Sequence, residues 1–302
     1  MLSPLCNNLN SYFLETLKTE KLILLWCENF DTDISDELTG IKEISLHRCP
    51  KSQLDFFTPF SAEGSEKLYH QMQKFDWFYM KEKWEFDKAL KDLAHCQTIL
   101  EVGCGPGFFI EQVQAKLKGS KIKGIELNRS AIEQALEKNL PVECADLNEL
   151  VAKGEMFDAV CSFQVLEHTS QPRELIEAMI NVLKPGRKLI ISVPNKDSFL
   201  KHVPNHILDM PPHHMTRWNL FTFKYFEKLF PLKLISWYCE PLAHYHFEWY
   251  VSTYAFCLGN KLPYLKQFIN QQKILKIANF ISKSGLYRLI KGHTLYVSFE
   301  KV

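Results

Sequence analysis

The sequence predicts an α/β fold, a doubly wound and mostly parallel sheet with helices on both faces. Three observations carry this. From residue 98 to 195, apolar runs of strand length alternate with amphipathic segments of helix length. The strand runs read as buried and non-alternating, as strands covered on both faces do. The first run opens directly into glycines at alternate positions, Gly103, Gly105 and Gly107, where open α/β sheets bind ligands.

Residues 1–60 read as an irregular N-terminal region with short apolar pieces, and residues 61–302 as the main domain. Residues 62–94 carry helical spacing, with Tyr69, Met72, Phe75, Tyr79 and Met80 three or four positions apart. "TILEVG" (98–103) is a strand, "FFIEQVQAKL" (108–117) a helix, "KIKGIEL" (121–127) a strand and "RSAIEQALEKN" (129–139) a helix. "PVECADL" (141–147) and "FDAVCSFQVLEH" (157–168) are the next two strands. "QPRELIEAMINVL" (171–183) is a helix with Pro172 in its first turn, and "KPGRKLIISVPN" (184–195) a turn and strand. Beyond it, 221–230 reads as helix, 232–240 as strand and 293–302 as a terminal strand. An aromatic, helix-prone insert occupies about 245–290. It reads either as a helical cover on the sheet or as a hydrophobic substrate wall, membrane-facing surface or dimer interface.

The chain has 302 residues, 46% hydrophobic and 24% charged, enough for a packed core. A formal net charge of +1 gives no electrostatic case for nucleic acid as a partner. Nine cysteines, an odd number, are scattered singly, which argues against a disulfide framework. No secretory signal pattern opens the chain, and "LILLW" (22–26) is too short to span a bilayer. The expectation is a cytoplasmic protein without a transmembrane segment, monomer or homodimer.

Glycines after a first strand permit positive φ and let a ligand approach the backbone. A dinucleotide loop reads G-x-G-x-x-G; here the third glycine comes one residue early, after Pro106. Glu126 ends the second strand 23 residues past Gly103, where a ribose-binding acid is expected. Asp146 ends the third strand, placed to accept from an exocyclic adenine amine with Leu147 against the ring.

With these residues in order, the chain resembles the class I S-adenosylmethionine-dependent methyltransferases, and within them the type 11, 12 and 23 subgroup. The matching segments are "ILEVGCGPG", "GIELNRSAIEQA", "CADL", "FDAVCSFQVLEH" and "LKPGRKLIISVPN". The resemblance implies a Rossmann-like seven-stranded sheet with an antiparallel last strand, and S-adenosyl-L-methionine as cofactor. It implies that Gly103, Cys104, Gly105 and Gly107 hold the amino-acid part of the cofactor, with Glu101 supporting the loop. By the same match Glu126 and Leu127 hold the ribose, Asp146 and Leu147 the adenine, and Gln164 and Val165 line the cofactor. Arg187 stands where the family's turn has its last glycine.

The acceptor side is less determined. Methyl transfer mostly needs alignment, and a base only where the acceptor is protonated. The candidates are His168 after the fourth strand, and His213 and His214 in "DMPPHHMTRWN" (209–219). The two adjacent histidines read as a base, a substrate clamp or part of a structural lid. As neighbours they are expected to point differently, and no acidic cluster accompanies them, so no metal is expected there. The "PPHHMTRW" and "FYMKEKWEFDKAL" segments are similar to methyltransferases of polysaccharide, antibiotic-sugar and other secondary metabolism. In many of those a zinc ribbon precedes the domain. Here Cys27 and Cys49 keep one cysteine of each pair, too few for a tetrahedral site, so a ribbon-like vestige without zinc is expected. The expected function is O-methylation of a small-molecule acceptor, sugar-like or a secondary metabolite. The alternatives are a quinone or aromatic O-methyltransferase, or a binding protein of the same fold without catalysis.

Overall fold

The computed structural model describes residues 1–7, 10–203, 205–261 and 285–302. Its centre is β4 (Thr98–Val102) and β7 (Phe157–Phe163), the latter buried at every position. Alternate residues of these strands feed two different cores. Leu100, Val102 and Val160 face one layer, and Ile99, Ala159 and Cys161 the other. Continuous apolar runs are what such double burial requires.

From β4 the chain winds through α4 (Phe108–Lys116), β5 (Lys121–Glu126), α5 (Arg129–Glu137), β6 (Val142–Cys144) and α6 (Leu147–Ala152) to β7. It then returns through α7 (Pro172–Asn181) to β8 (Leu183–Pro194). After β10 (Leu232–Pro241), β11 (Lys291–Lys301) runs antiparallel to both β10 and β8. The resulting order is β10-β11-β8-β7-β4-β5-β6, seven strands with the last in sequence antiparallel, as expected. Successive strands go one way from β4 and the other way from β7, so the topological switch point lies between these two. Their carboxyl ends define where a ligand fits.

Three sequence expectations are corrected. Residues 1–60 are not irregular: β1 (Tyr12–Lys18), α1 (Thr19–Phe30), β2 (Glu43–Arg48) and β3 (Asp55–Thr58) fold there. Their antiparallel sheet takes its fourth strand, β9 (Thr216–Arg217), from the histidine segment. Trp26, Phe57, Met210 and Met215 share one core beneath it. Short strands whose last partner is remote leave no local periodicity to read. Cys27 is exposed, whereas Cys49 is buried with its Sγ 3.6 Å from that of Cys6, so the two do not form half of a ribbon.

The helical spacing over 62–94 resolves into α2 (Glu66–Met72) and α3 (Trp84–Asp92) with turns between. Phe75, Trp77, Phe78 and Tyr79 sit in those turns, packed on one another and on Phe30. Beyond Met72, aromatic burial and not a helix produced the spacing. Residues 221–230 begin as α8 (Leu220–Lys224) and tighten into a 3-10 turn, Tyr225–Lys228. The insert begins as α9 (Phe247–Lys261); its stretch 262–284 lies outside the described residues. Among the described residues no helix is long and apolar enough to cross a membrane.

Candidate functional site

The glycine turn is built by packing. Gly103 and Gly105 have φ of 71° and 52°, a region that costs other residues strain. A Cβ on Gly103 would lie 2.5 Å from Val165, and one on Gly105 2.7 Å from the Tyr79 ring. The bare backbone therefore makes room for protein side chains that wall the site, as well as for a ligand. The backbone amides of Gly103 and Cys104 donate to Ile125 O at 2.9 and 3.1 Å, tying the turn to β5. Cys104 itself is buried, with Sγ filling the space beside Gly124. Its side chain faces the core, so any contact with a ligand would run through its backbone.

Glu126 ends β5 and is held by three backbone amides. Gly105 donates to Oε2 at 2.8 Å; Leu127 and Asn128 donate to Oε1 at 2.8 and 2.9 Å. An ionised carboxylate has about four lone-pair sites, so acceptor capacity remains for a hydroxyl. Asp146 is exposed at the N-terminus of α6, its Oδ1 accepting from the backbone and side-chain nitrogens of Asn148 at 2.7 and 2.9 Å. Glu149 completes the capping box. Leu127 stands 63% exposed. Leu147 belongs mostly to the core beneath, with only its edge at the wall.

Glu101 lies under the turn, 3% exposed, and its Oε2 has no hydrogen-bond partner. Burial pushes its carboxyl well above the ordinary range. An unpaired buried oxygen of this kind is costly unless a donor arrives. Gln164 follows β7 at φ 57°. Its amide donates to Ser192 O at 2.8 Å and its Nε2 to Glu85 Oε1 at 3.1 Å. These bonds hold a backbone conformation that is unfavourable for a non-glycine residue.

These groups meet around one cleft of about 750 Å³ at the switch point. Gly103, Glu126, Leu127, Asp146, Leu147, Gln164, Val165 and His168 line it, with Tyr69, Phe78 and Tyr79 opposite. Glu101, Cys104, Gly105 and Gly107 stand behind its surface. The volume suits a ligand of nucleoside or drug size. Sequence reasoning missed Tyr69 and Tyr79, because the spacing placed both in a single amphipathic helix.

The three candidate histidines are close together but differ in access. His168 lines the cleft; His213 and His214 are 5% and 8% exposed and stand behind it. His168 Nδ1 lies 2.7 Å from the His213 carbonyl. A carbonyl only accepts, so Nδ1 carries the proton and Nε2 the lone pair. Burial lowers the His168 pKa to about 4, so the ring is neutral near pH 7. His214 Nδ1 lies 3.2 Å from Asp209 Oδ1, and Arg217 Nε lies 2.9 Å from the same carboxylate's Oδ2. Burial and the neighbouring histidines hold both His213 and His214 well below the usual value. Rather than pointing apart, the His213 and His214 rings stack at 4.5 Å. Glu167 beside them is 1% exposed, its Oε2 unpartnered and its pKa pushed up to about 8 by burial.

The family model described as "Methyltransferase domain" matches residues 47–252, which include the cleft and the histidine segment. The curated "Ubiquinone biosynthesis O-methyltransferase, mitochondrial" of Dictyostelium discoideum is 27% identical over 203 residues, 56% of this chain and 62% of that one. The ubiquinone biosynthesis O-methyltransferase of Hahella chejuensis is 30% identical over 211 residues, 66% of this chain and 82% of that one. The Chromobacterium violaceum protein of the same name is 31% identical over 109 residues, and the chain spans 46% of its length. Among solved structures, a SAM-dependent methyltransferase from Archaeoglobus fulgidus has a TM-score of 0.47 at 19% identity, covering 79% of this chain and 95% of that one.

Proposed function

The chain belongs to the methyltransferase-domain family, and on that premise we propose that it methylates a hydroxyl oxygen of a small molecule, with S-adenosylmethionine as donor. One observation carries the reading. Glu101, Glu126 and Asp146, on or just after three neighbouring parallel strands, surround one glycine turn at the switch point. The unpaired Oε2 of Glu101 is the test of fit, because a buried acceptor there calls for a cationic donor.

When bound, the cofactor supplies a methyl group already activated by positive sulfur. The chain's own residues then bind and align. Glu126 would accept from the ribose hydroxyls and Asp146 from the adenine amine, while Glu101, buried under the glycine turn, would favour the cationic amino-acid end above it. The walls of Tyr69, Phe78 and Tyr79 exclude water. His168 Nε2 takes the acceptor's proton as the oxygen is methylated, a role that fits a neutral ring lining the cleft.

The acceptor we propose is a hydroxylated aromatic or quinone ring. The names of the relatives and the aromatic walls support it. The sugar-like alternative drew on the 209–219 segment, whose paired histidines stand behind the cleft. A cytoplasmic location is part of the same proposal; the Dictyostelium relative's name places that protein in mitochondria.

The test is a panel of catechols, hydroxyquinones and glycosides incubated with labelled S-adenosylmethionine, with products read by mass spectrometry. The expected result is one added methyl on a ring hydroxyl and S-adenosylhomocysteine in equal amount. Cofactor binding without transfer to any acceptor would favour the non-catalytic reading.

A further inference from the structure

Three polar atoms away from the cleft lack hydrogen-bond partners and converge on one another. They are Oε2 of Glu240, Nδ1 of His246 and Nδ1 of His293, each without a partner. The three residues offer ligand atoms within 4.8 Å of one another. Glu240 is 3% exposed, so its carboxylate is almost wholly removed from water. A buried carboxylate oxygen without a hydrogen bond, facing two imidazole nitrogens in the same state, is expensive unless something binds between them.

The fold assembles this group deliberately. Glu240 sits near the end of β10, where the pairing with β11 shifts between Cys239 and Pro241. A Cβ on Gly292 would lie 2.9 Å from Glu240 O, so glycine there lets the strands approach and brings His293 beside Glu240. His246 closes the group from the 3-10 turn His244–His246 that precedes α9.

Geometry favours an ion over a direct pair. Glu240 Oε2 and His293 Nδ1 are 3.6 Å apart, too far for a hydrogen bond. Two ligands about 2.1 Å from a tetrahedral ion are separated by roughly 3.4 Å. The His246 and His293 rings are 4.1 Å apart and 86° inclined, so their in-plane lone pairs can meet at one point. The neighbouring group His168, His213 and His214 is within the same span but fails this test. His213 and His214 lie in planes only 20° apart, their lone pairs running side by side. In that group His214 Nδ1 already faces Asp209 Oδ1 at 3.2 Å, and His168 Nδ1 is committed to a carbonyl.

We propose that Glu240, His246 and His293 bind one divalent transition cation of the zinc type. Two imidazoles and one carboxylate suit such ions and not magnesium or calcium, which take oxygen ligands. Three protein ligands leave a position for water or an acceptor oxygen. The site is two strands from the cleft along the sheet's carboxyl edge: Asn195 N, just past β8, donates to His293 O at 2.6 Å. Contact with an acceptor oxygen rests on the methyl-transfer reading, but binding of the ion does not.

The test uses the full chain stripped with chelator and then freed of it. Cobalt(II) is titrated and followed by its visible d–d absorption, zinc(II) by calorimetry, and S-adenosylhomocysteine affinity is measured on the same samples. Wild type is expected to bind one ion per chain. Loss of one ligand in His293→Ala or Glu240→Gln is expected to weaken binding at least about 10-fold, since even residues that only support a metal ligand are worth roughly 10–100-fold. His213→Ala is expected to keep wild-type stoichiometry and affinity for the ion. Glu240→Gln, isosteric, keeps the test open if His293→Ala does not fold. No ion bound by wild type, or ion affinity unchanged in Glu240→Gln, overturns the proposal. So does loss in His213→Ala with retention in Glu240→Gln, or preference for magnesium over zinc and cobalt. Cofactor affinity reports separately on the methyltransferase reading, whichever way the metal result falls.

Discussion

Nδ1 of His168 lies 2.7 Å from the backbone carbonyl of His213, and that contact decides which ring nitrogen is basic. The proton is fixed on Nδ1, so Nε2 keeps its lone pair. His213 thereby acts on the chemistry through its backbone, as a positioning residue, while its own ring stays buried. His168→Ala is expected to lower kcat by roughly 10²–10⁴-fold, the usual contribution of a general base. Cofactor Kd is expected to stay within a few-fold of wild type. A kcat that survives the substitution removes His168 from proton transfer.

The His168 pKa of about 4 places the acid limb of kcat/KM far below the ordinary histidine range. Activity from pH 5.5 to 7 is therefore expected to be flat, apart from titration of the acceptor itself. A limb near 6.5 in the pH profile would contradict the buried, neutral ring.

Stability is expected to depend on pH from both sides. Below its ordinary value of 6.5, unfolded His168 binds a proton that the folded ring refuses until about 4. Stability attributable to it is therefore lost as pH falls from 6.5 to 4. Glu167 has the opposite sign, since the folded carboxyl keeps its proton up to about 8 and the unfolded one loses it near 4.5. Its contribution falls as pH rises between those values. Glu167→Gln is expected to flatten the decline of Tm from pH 5 to 8 and leave the acid side unchanged.

Gly105→Ala places a side chain at φ 52° with its Cβ 2.7 Å from the Tyr79 ring. The left-handed conformation alone costs roughly 1–2 kcal/mol, and Tyr79 has to move. A lowered Tm with weakened cofactor binding is expected. Pairing the change with Tyr79→Ala is expected to recover part of the Tm loss, because it relieves the clash and leaves the backbone strain.

Asp146 has two separable roles. Asp146→Ala removes the cap of α6 and is expected to cost about 1 kcal/mol. Asp146→Asn keeps a side-chain oxygen for the cap and is expected to hold Tm near wild type. Adenosine-ring recognition is expected to weaken in both variants, more in the alanine one, as read by S-adenosylhomocysteine binding.

The doubly wound sheet was legible because its strands are buried on both faces, which writes apolar runs into the chain. Gly103, Glu126 and Asp146 were legible because each has a fixed place relative to a strand end. The direction of the Cys104 side chain was not legible, because spacing along a turn does not say which way a side chain faces; its thiol fills the space beside Gly124. The four-stranded N-terminal sheet was hidden, since it needs Thr216 and Arg217, some 160 residues from β3. Tyr69 and Tyr79 were hidden because the spacing ran from α2 into turns whose aromatics are placed by packing, so the two read as one helix face. Glu240, His246 and His293 come from a strand end, a turn and another strand, and no local pattern joins them.

Calorimetric titration of S-adenosylhomocysteine into wild type, Glu126→Ala and Asp146→Ala tests the central claim most directly. Glu126 holds the glycine turn through Gly105 N at 2.8 Å and offers its remaining lone pairs to the ribose. The account predicts one site per chain in wild type, with affinity reduced at least 10-fold by either substitution in protein that remains folded. No binding to wild type, or wild-type affinity in both variants, would contradict it.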